Sequence, residues 1–358
     1  MPADPLPLWS RCARNVMEWS WPMLRTGLFQ LDAEAAHHVT MRGLKLAGAC
    51  GFLRLLPGTV EAAPVELWGL KFPNRVGLAA GLDKTGEAID GFGAMGFGHV
   101  EIGTLTPRPQ PGNEKPRLFR IVEKEAIVNR MGFNNPGMTE GMANVARRKW
   151  KGIVGVNVGK NFDTPNEKAV DDYLICLRAA WAQADYVTVN LSSPNTKGLR
   201  DLQQEETCRE LIRALRSEQM VLAQKHGRHV PVLIKIAPDL EEAHIDGLAR
   251  VFAEEKLEGV IATNTTLSRQ HVEGLDNADE RGGLSGAPLT QRATEVIARL
   301  CRALDGAMPV IGVGGIMSGA DAVEKLQAGA SLVQVYSGLI YKGPKIVREC
   351  VEAARVLS

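Results

Sequence analysis

Eight short apolar runs, most of them separated by stretches of helical periodicity, limit this chain to very few architectures. They are Arg75–Ala80, His99–Leu105, Gly152–Val158, Tyr186–Leu191, Pro231–Ile236, Gly259–Thr263, Pro309–Val313 and Leu332–Tyr336. Their apolar character is continuous rather than alternating, and β-branched residues are frequent. A strand of that kind is covered on both faces, as in a parallel sheet with helices packed outside it. Ala320–Ala328 and Glu205–Lys225 carry the matching helical period. Eight β–α units in series predict an α/β fold, a closed (β/α)8 TIM barrel rather than an open sheet. The chain has 358 residues, room for one barrel of about 250 residues and an appendage.

The appendage is expected at the N-terminus. Leu8, Trp9, Cys12, Val16, Trp19 and Met23 recur at helical spacing. Asp32 can cap a second helix with Glu34 in its first turn, and Ala36, Val39, Gly43, Leu46 and Ala47 form its expected apolar face. Pro57 to Pro64 reads as a linker, so the division is residues 1–56, a helical extension, and 57–358, the barrel. Pro116–Asn129 reads as a small hairpin inserted after the second strand.

Several functions are excluded. A net charge of +1 gives no reason to expect nucleic acid. The six cysteines, at 12, 50, 176, 208, 301 and 350, form no CxxC pair, so no metal or iron–sulfur spacing is present and scattered thiols in a reducing compartment are expected. No HExxH, nucleophile elbow or Walker A sequence occurs. Gly91, Gly93 and Gly96 match GxGxxG, but they follow a helix-like stretch, Thr85–Asp90, and precede a strand; close packing and a turn explain them better than a dinucleotide. None of the seven histidines follows a barrel strand.

What does follow the strands is polar. The ends carry Asp83 and Lys84, Thr104, Asn157, Asn190 with Ser192 to Thr196, Lys235, Asn264 and Thr265, Gly314 and Gly315, and Ser337 and Gly338. In a barrel these ends meet at one face, where catalytic groups collect. Asparagine offers both donor and acceptor, which suits a planar ring bearing N–H and C=O groups. The two lysines can hold a carboxylate or an anionic cofactor. Backbone N–H groups after the last two strands, around Gly314, Gly315, Ser318, Ser337 and Gly338, form an expected phosphate site.

The motifs AAGLDK (79–84), EIGTLTPRPQPGN (101–113), NRMGFNN (129–135), VNLSSPNTKGLR (189–200), ATNTT (262–266), GGLSGAPL (282–289) and GVGGI (312–316) closely resemble those of the quinone-dependent, membrane-associated dihydroorotate dehydrogenases. The resemblance runs from LFQLDAEAAHH at 28–38 to VYSGLIYKGP at 335–344. It implies bound FMN, with Ala80, Gly81, Leu82, Asp83, Lys84, Thr104, Asn157, Asn190, Lys235, Thr263, Gly286, Gly315, Tyr336 and Ser337 at cofactor positions. Substrate positions fall on Lys84, Asn129, Arg130, Met131, Gly132, Phe133, Asn190, Asn195, Asn264 and Thr265, and the general base on Ser193. The soluble class looks similar in the barrel but has cysteine at the base position and no N-terminal helical extension. The implied reaction removes a proton from C5 of dihydroorotate and a hydride from C6 to the flavin, yielding orotate, with a membrane quinone as final acceptor.

A serine base needs help from burial and a relay, for which Thr196 is the candidate. Lys235 would stabilise charge developing on the reduced ring. The extension, with Trp9, Trp19, Trp21, Met23, Leu24 and Phe29, would meet a lipid bilayer surface and lead quinone to the flavin, Arg11, Arg14 and Arg25 facing lipid head groups. No iron–sulfur partner subunit is expected. No secretory signal, spanning segment or transit peptide is evident, so the expected location is peripheral, on the cytoplasmic face of a bacterial inner membrane. Two other readings stay open: a soluble FMN-dependent dihydropyrimidine oxidoreductase using fumarate or NAD, and a non-enzymatic phosphate-binding membrane scaffold.

Overall fold

The apolar runs become strands because both faces of each are buried: every residue of His99–Leu105, for example, is inaccessible to solvent. A computed structural model describes residues 20–49 and 62–357. Its centre is a closed barrel of eight strands. In chain order these are β1 (Val76–Leu78), β2 (His99–Leu105), β3 (Ile153–Val158), β4 (Tyr186–Asn190), β5 (Val232–Ile236), β6 (Gly259–Ala262), β7 (Val310–Val313) and β8 (Leu332–Val335). Each pairs in parallel with its neighbour, and β8 closes on β1 through Val333↔Val76. β2 coincides with its run, and the other seven strands are shorter than theirs by one or two residues at one or both ends. The helix at Glu205–His226 ends, as its glycine dictates, on left-handed Gly227 at φ 63°.

The floor of the barrel was not visible in the sequence. A hairpin of two three-residue strands, Val65–Leu67 and Leu70–Phe72, lies across it. Phe72 meets His99 edge-on with ring centroids 5.4 Å apart, and the Trp68 indole donates to the Glu258 carbonyl at 2.6 Å. Glycines make room for these rings. A Cβ on Gly77 would lie 2.0 Å from the His99 ring, and one on Gly155 2.1 Å from the Tyr186 ring.

At the opposite end, the predicted hairpin forms as Leu118–Ile121 and Ala126–Asn129. A third strand, Gly283–Gly286, arriving from the β6–β7 connection, joins it antiparallel. That pairing sets Asn129 opposite Gly283 and Ala126 opposite Gly286.

Two local expectations are corrected. Thr85–Asp90 does not form the expected helix; the helix is Ile89–Ala94 and contains Gly91 and Gly93. The preceding chain instead turns around the Asp83 carboxylate, which accepts the N–H groups of Thr85, Gly86, Glu87 and Ala88 at 2.8–3.3 Å. Gly91 and Gly93 do serve close packing, against Leu44 and Trp150.

The second correction concerns the extension. Residues 20–29 are helical (α1), and α2 runs over Ala33–Ala49. Asp32 caps α2 as expected, accepting the N–H of Glu34 at 2.9 Å. The packed face is Ala33, Ala36, His37, Thr40, Met41 and Leu44, whereas Val39, Gly43 and Leu46 of the expected face are exposed. Trp21 and Phe29 also turn inward. The Trp21 indole and the Arg25 guanidinium donate to the Tyr341 carbonyl, and Phe29 packs edge-on to Tyr341. Leu8, Trp9, Arg11, Cys12, Arg14, Val16 and Trp19 lie outside the described residues. Among the described residues no helix is long and apolar enough to cross a membrane, and Cys176, Cys208, Cys301 and Cys350 are free thiols.

A buried ion pair fastens the extension. Arg117, from the upper hairpin, donates through Nε and Nη2 to Glu34 at 3.1 and 2.8 Å, and Lys115 adds a contact at 3.2 Å. Burial alone would raise the Glu34 pKa, but the Arg117 bonds and charge, with Lys115, hold it at about 2. A depressed carboxylate contributes stability above its unfolded pKa and loses it as pH falls through the folded value. Docking of α2 should therefore weaken between about pH 4.5 and 2. Glu34→Gln, which strands the Arg117 charge, should cost roughly 2–3 kcal/mol at neutral pH. Hydrogen exchange across residues 33–49 measures both effects; exchange in the variant equal to wild type at pH 7 would refute the assignment.

Candidate active site

The C-terminal ends of the strands surround a cavity of about 970 Å³, counted out to its mouth and including open space there. Two hydrogen-bonded groups of residues line it. The first holds Asn129, Ser193, Asn195, Asn190 and Asn264. The Asn195 side chain donates to Asn129 at 3.2 Å, and its backbone N–H donates to Ser193 Oγ at 3.2 Å. Asn264 donates to the Ser192 hydroxyl at 3.0 Å, and that hydroxyl donates to Asn190. The second group is small and rich in backbone: Ala79, Ala80, Gly81, Ser285, Gly286, Gly314, Gly315 and Ser337. There Ser337 donates to Ser285 at 2.9 Å, and Gly314 and Gly315 adopt φ of 118° and 70°. A side chain at Gly315 would place its Cβ 2.3 Å from the Thr290 nitrogen.

Beneath the cavity lies a polar network that starts at Glu101, a fully buried carboxylate on β2. It accepts from Asn157 at 2.8 Å, Tyr186 at 3.0 Å, Thr188 at 3.3 Å and Gln334 at 2.9 Å. Thr104 donates to Asn157 at 2.6 Å, and Asn190 donates to both at 3.2 Å. Lys235 on β5 lines the cavity and is buried; burial lowers its pKa and the Glu101 charge works against that. Lys84 donates to the Gly81 carbonyl at 2.7 Å. It lines the cavity, and burial brings its pKa down to about 8, with Glu34 and Asp83 opposing.

A second, apolar cavity sits between the extension and the barrel. Leu28, Phe29, Ala36, Met41 and Leu44 line it from α1 and α2, and Leu82, Phe92, Leu118, Ile127 and Leu339 from the barrel side. Tyr336 lines both cavities. The polar lining of the apolar one includes Thr40, Arg120, and His37, which burial holds neutral with a pKa of about 3.

Most residues singled out from sequence converge on the upper cavity: Ala80, Gly81, Lys84, Thr104, Asn129, Met131, Gly132, Phe133, Asn190, Ser193, Asn195, Lys235, Thr263, Asn264, Thr265, Gly286, Gly315, Tyr336 and Ser337. Four of the expected cofactor and substrate positions do not line it. Leu82 faces the apolar cavity. Asp83 holds the turn at 85–88, and Asn157 stands behind Thr104 and Asn190. The Arg130 guanidinium stacks over Phe119 and pairs with Glu280 at 2.6 Å. Thr196 is buried but outside the lining. Sequence reading missed Glu101, Ser285 and Gln334. Glu101 and Gln334 carry a signal: the first is the lone carboxylate of its apolar run, the second the lone amide of its own. Among the described residues no cluster of side chains could hold a metal ion.

Comparison with known proteins agrees with this geometry. Residues 62–355 match the family model described as dihydroorotate dehydrogenase. A protein of Akkermansia muciniphila named dihydroorotate dehydrogenase (quinone) is 58% identical over 92% of this chain and 94% of its own length. One of the same name from Chromobacterium violaceum is 57% identical over 93% and 97%. The crystal structure of DHODH in complex with ferulenol from Eimeria tenella superposes with a TM-score of 0.83 at 38% identity, covering 91% of both chains. The chain is thus an oxidoreductase belonging to the dihydroorotate dehydrogenase family, and it groups there with relatives that carry the quinone designation.

Proposed function

We propose that this chain oxidises dihydroorotate to orotate in pyrimidine biosynthesis, with FMN in the upper cavity, Ser193 as general base and a membrane quinone as final acceptor. The observation that carries the reading is the make-up of the upper cavity, where amides and one serine stand beside a small, glycine-rich wall. The glycine-rich group suits a flat heteroaromatic ring and a phosphate. Left-handed Gly314 and Gly315 and the first residue of the Ser337–Lys342 helix offer backbone N–H groups to an anion. Gln334 also lines the cavity, and its buried Oε1 has no hydrogen-bond partner among the described residues, which leaves an acceptor for a ring N–H. FMN held there would supply a hydride acceptor and a route for the electrons onward.

The chain does the rest. Ala80, Gly81, Lys84, Thr104, Asn190, Lys235, Thr263, Gly286, Gly315, Tyr336 and Ser337 hold the cofactor, and Leu82, Asp83 and Asn157 support it from outside the lining. Asn129, Asn195 and Asn264 pair with the pyrimidine edge, Lys84 takes the carboxylate, and Met131 to Phe133, Asn190 and Thr265 complete the substrate side. Arg130 acts by bracing that loop against Glu280. Ser193 Oγ receives the C5 proton as its own hydroxyl proton passes to a relay, for which Thr196 in the same loop is the candidate, and the Asn195 N–H holds its orientation. The ammonium of Lys235 offsets charge developing on the ring beside it.

The apolar cavity supplies the second half of the reaction. A lipid-dissolved quinone enters between α1 and α2 and reaches the shared wall at Tyr336. Met23, Leu24, Leu31, Val39 and Leu46 are exposed on the extension and form its membrane face. Residues 1–56 thus serve access and docking, and 57–358 serve chemistry. The protein is peripheral, on the cytoplasmic side of a bacterial inner membrane.

The test of the base is Ser193→Ala. Anaerobic flavin reduction by dihydroorotate should fall by about 10²-fold or more while orotate still binds. Ser193→Cys should keep part of the rate and gain as pH rises and thiolate forms. Near-normal reduction in the alanine variant would remove Ser193 from this role. Lys84 sets a pH dependence: it is charged below about 8 and neutral above. Orotate affinity should therefore decline as pH rises through that value, and Lys84→Met should bind weakly with a flat profile in fluorescence titration. An equally steep decline in the variant contradicts the assignment. For the membrane face, Met23→Glu combined with Leu46→Glu should lose vesicle binding and long-tailed quinone reduction but keep activity with a soluble dye. Unchanged vesicle binding rules out this docking face.

A further inference from the structure

Three loops that build the site are tied together by one side chain. Arg200 lies in the short 3-10 helix Leu199–Gln203, beyond the segment that carries Ser193. Its Nε donates back to the Ser192 carbonyl at 3.1 Å, closing residues 193–199 into a loop with a fixed neck. Nη2 donates to the Thr265 carbonyl at 3.0 Å, in the β6 loop next to Asn264. Nη1 pairs with Asp239 in the β5 loop at 2.7 Å. Asp239 in turn accepts the Leu267 N–H at 3.0 Å and the Thr266 hydroxyl. The pair is about four-fifths buried, with side-chain exposures of 21% and 24%.

The planar fork therefore reads three loops at once, which an ammonium cannot do. Two of its acceptors are backbone carbonyls adjoining residues of the cavity, Ser193 and Asn264. We propose that Arg200 and Asp239 form a clasp that fixes the Ser193 loop against the β5 and β6 loops, making Arg200 a positioning residue for proton transfer. The second half of that statement rests on Ser193 being the base; the clasp itself does not.

Arg200→Lys in the full-length holoenzyme keeps the charge and loses the fork. Amide exchange in residues 192–200 and 264–267 should accelerate on the order of tenfold, with the hairpin at 118–129 unaffected. Flavin reduction by dihydroorotate should slow on the order of tenfold or more. In a Ser193→Ala background the same substitution should cost no further rate, because the group being positioned is gone. Unchanged exchange overturns the clasp. An equal loss of rate in both backgrounds overturns the positioning role. Should Arg200→Lys not fold, Asp239→Asn, which removes one anchor, decides by the same measurements. Near-normal reduction by Ser193→Ala alone would remove the base, and the exchange data would then judge the clasp independently.

Discussion

A single carboxylate at the middle of the barrel constrains everything above it. An unpaired ion there would cost several kcal/mol, so the strands around Glu101 must supply donors. Asn157 comes from β3, Tyr186 and Thr188 from β4, and Gln334 from β8. Satisfying the carboxylate orients each of them. Asn157 is left with its oxygen toward Thr104 and Asn190, and Gln334 with an oxygen that no group among the described residues uses. Burial lowers the Lys235 pKa, and the same anion opposes that shift. The floor of the cavity is thus ordered before any ligand is considered.

The rim is ordered by a different device. Neither Glu34–Arg117 nor Arg200–Asp239 touches the cavity, yet each fixes an element that does. Arg117 also donates to the carbonyls of Pro111 and Asn113, and the Asn113 amide donates to the Asn195 carbonyl at 3.3 Å. The extension is therefore bonded through two residues to the loop that holds Ser193. Charge-assisted contacts of this kind are directional as well as strong, which suits loops that must hold small polar groups in place.

The barrel was legible because a strand buried on both faces leaves an unbroken apolar run, and eight such runs admit few closures. Nearly all the site residues were legible too, since strand ends in this architecture meet at one face. What escaped notice obeys other rules. The strands Val65–Leu67 and Leu70–Phe72 are too short to show a period, and Gly283–Gly286 is half glycine. The turn at 85–88 looked helical because only the folded chain brings its N–H groups around Asp83. On α2, apolar residues cover more than one face, so periodicity could not tell the packed stripe from the exposed one. Arg200 sat inside a recognised motif, but its partners lie in two other loops that no local pattern reveals.

The rings set against glycines have a consequence for how such a chain can change over generations. Gly77 is vacant where the His99 ring lies, Gly155 where Tyr186 lies, and Trp150 takes the space beside both Gly93 and Gly152. Enlarging any of these glycines alone forces a clash, and shrinking its ring alone leaves a hole. Each set is a joint unit of inheritance: its members can drift only by passing through an ancestor that is overfilled or hollow, so lineages should keep the pairing or replace both partners together.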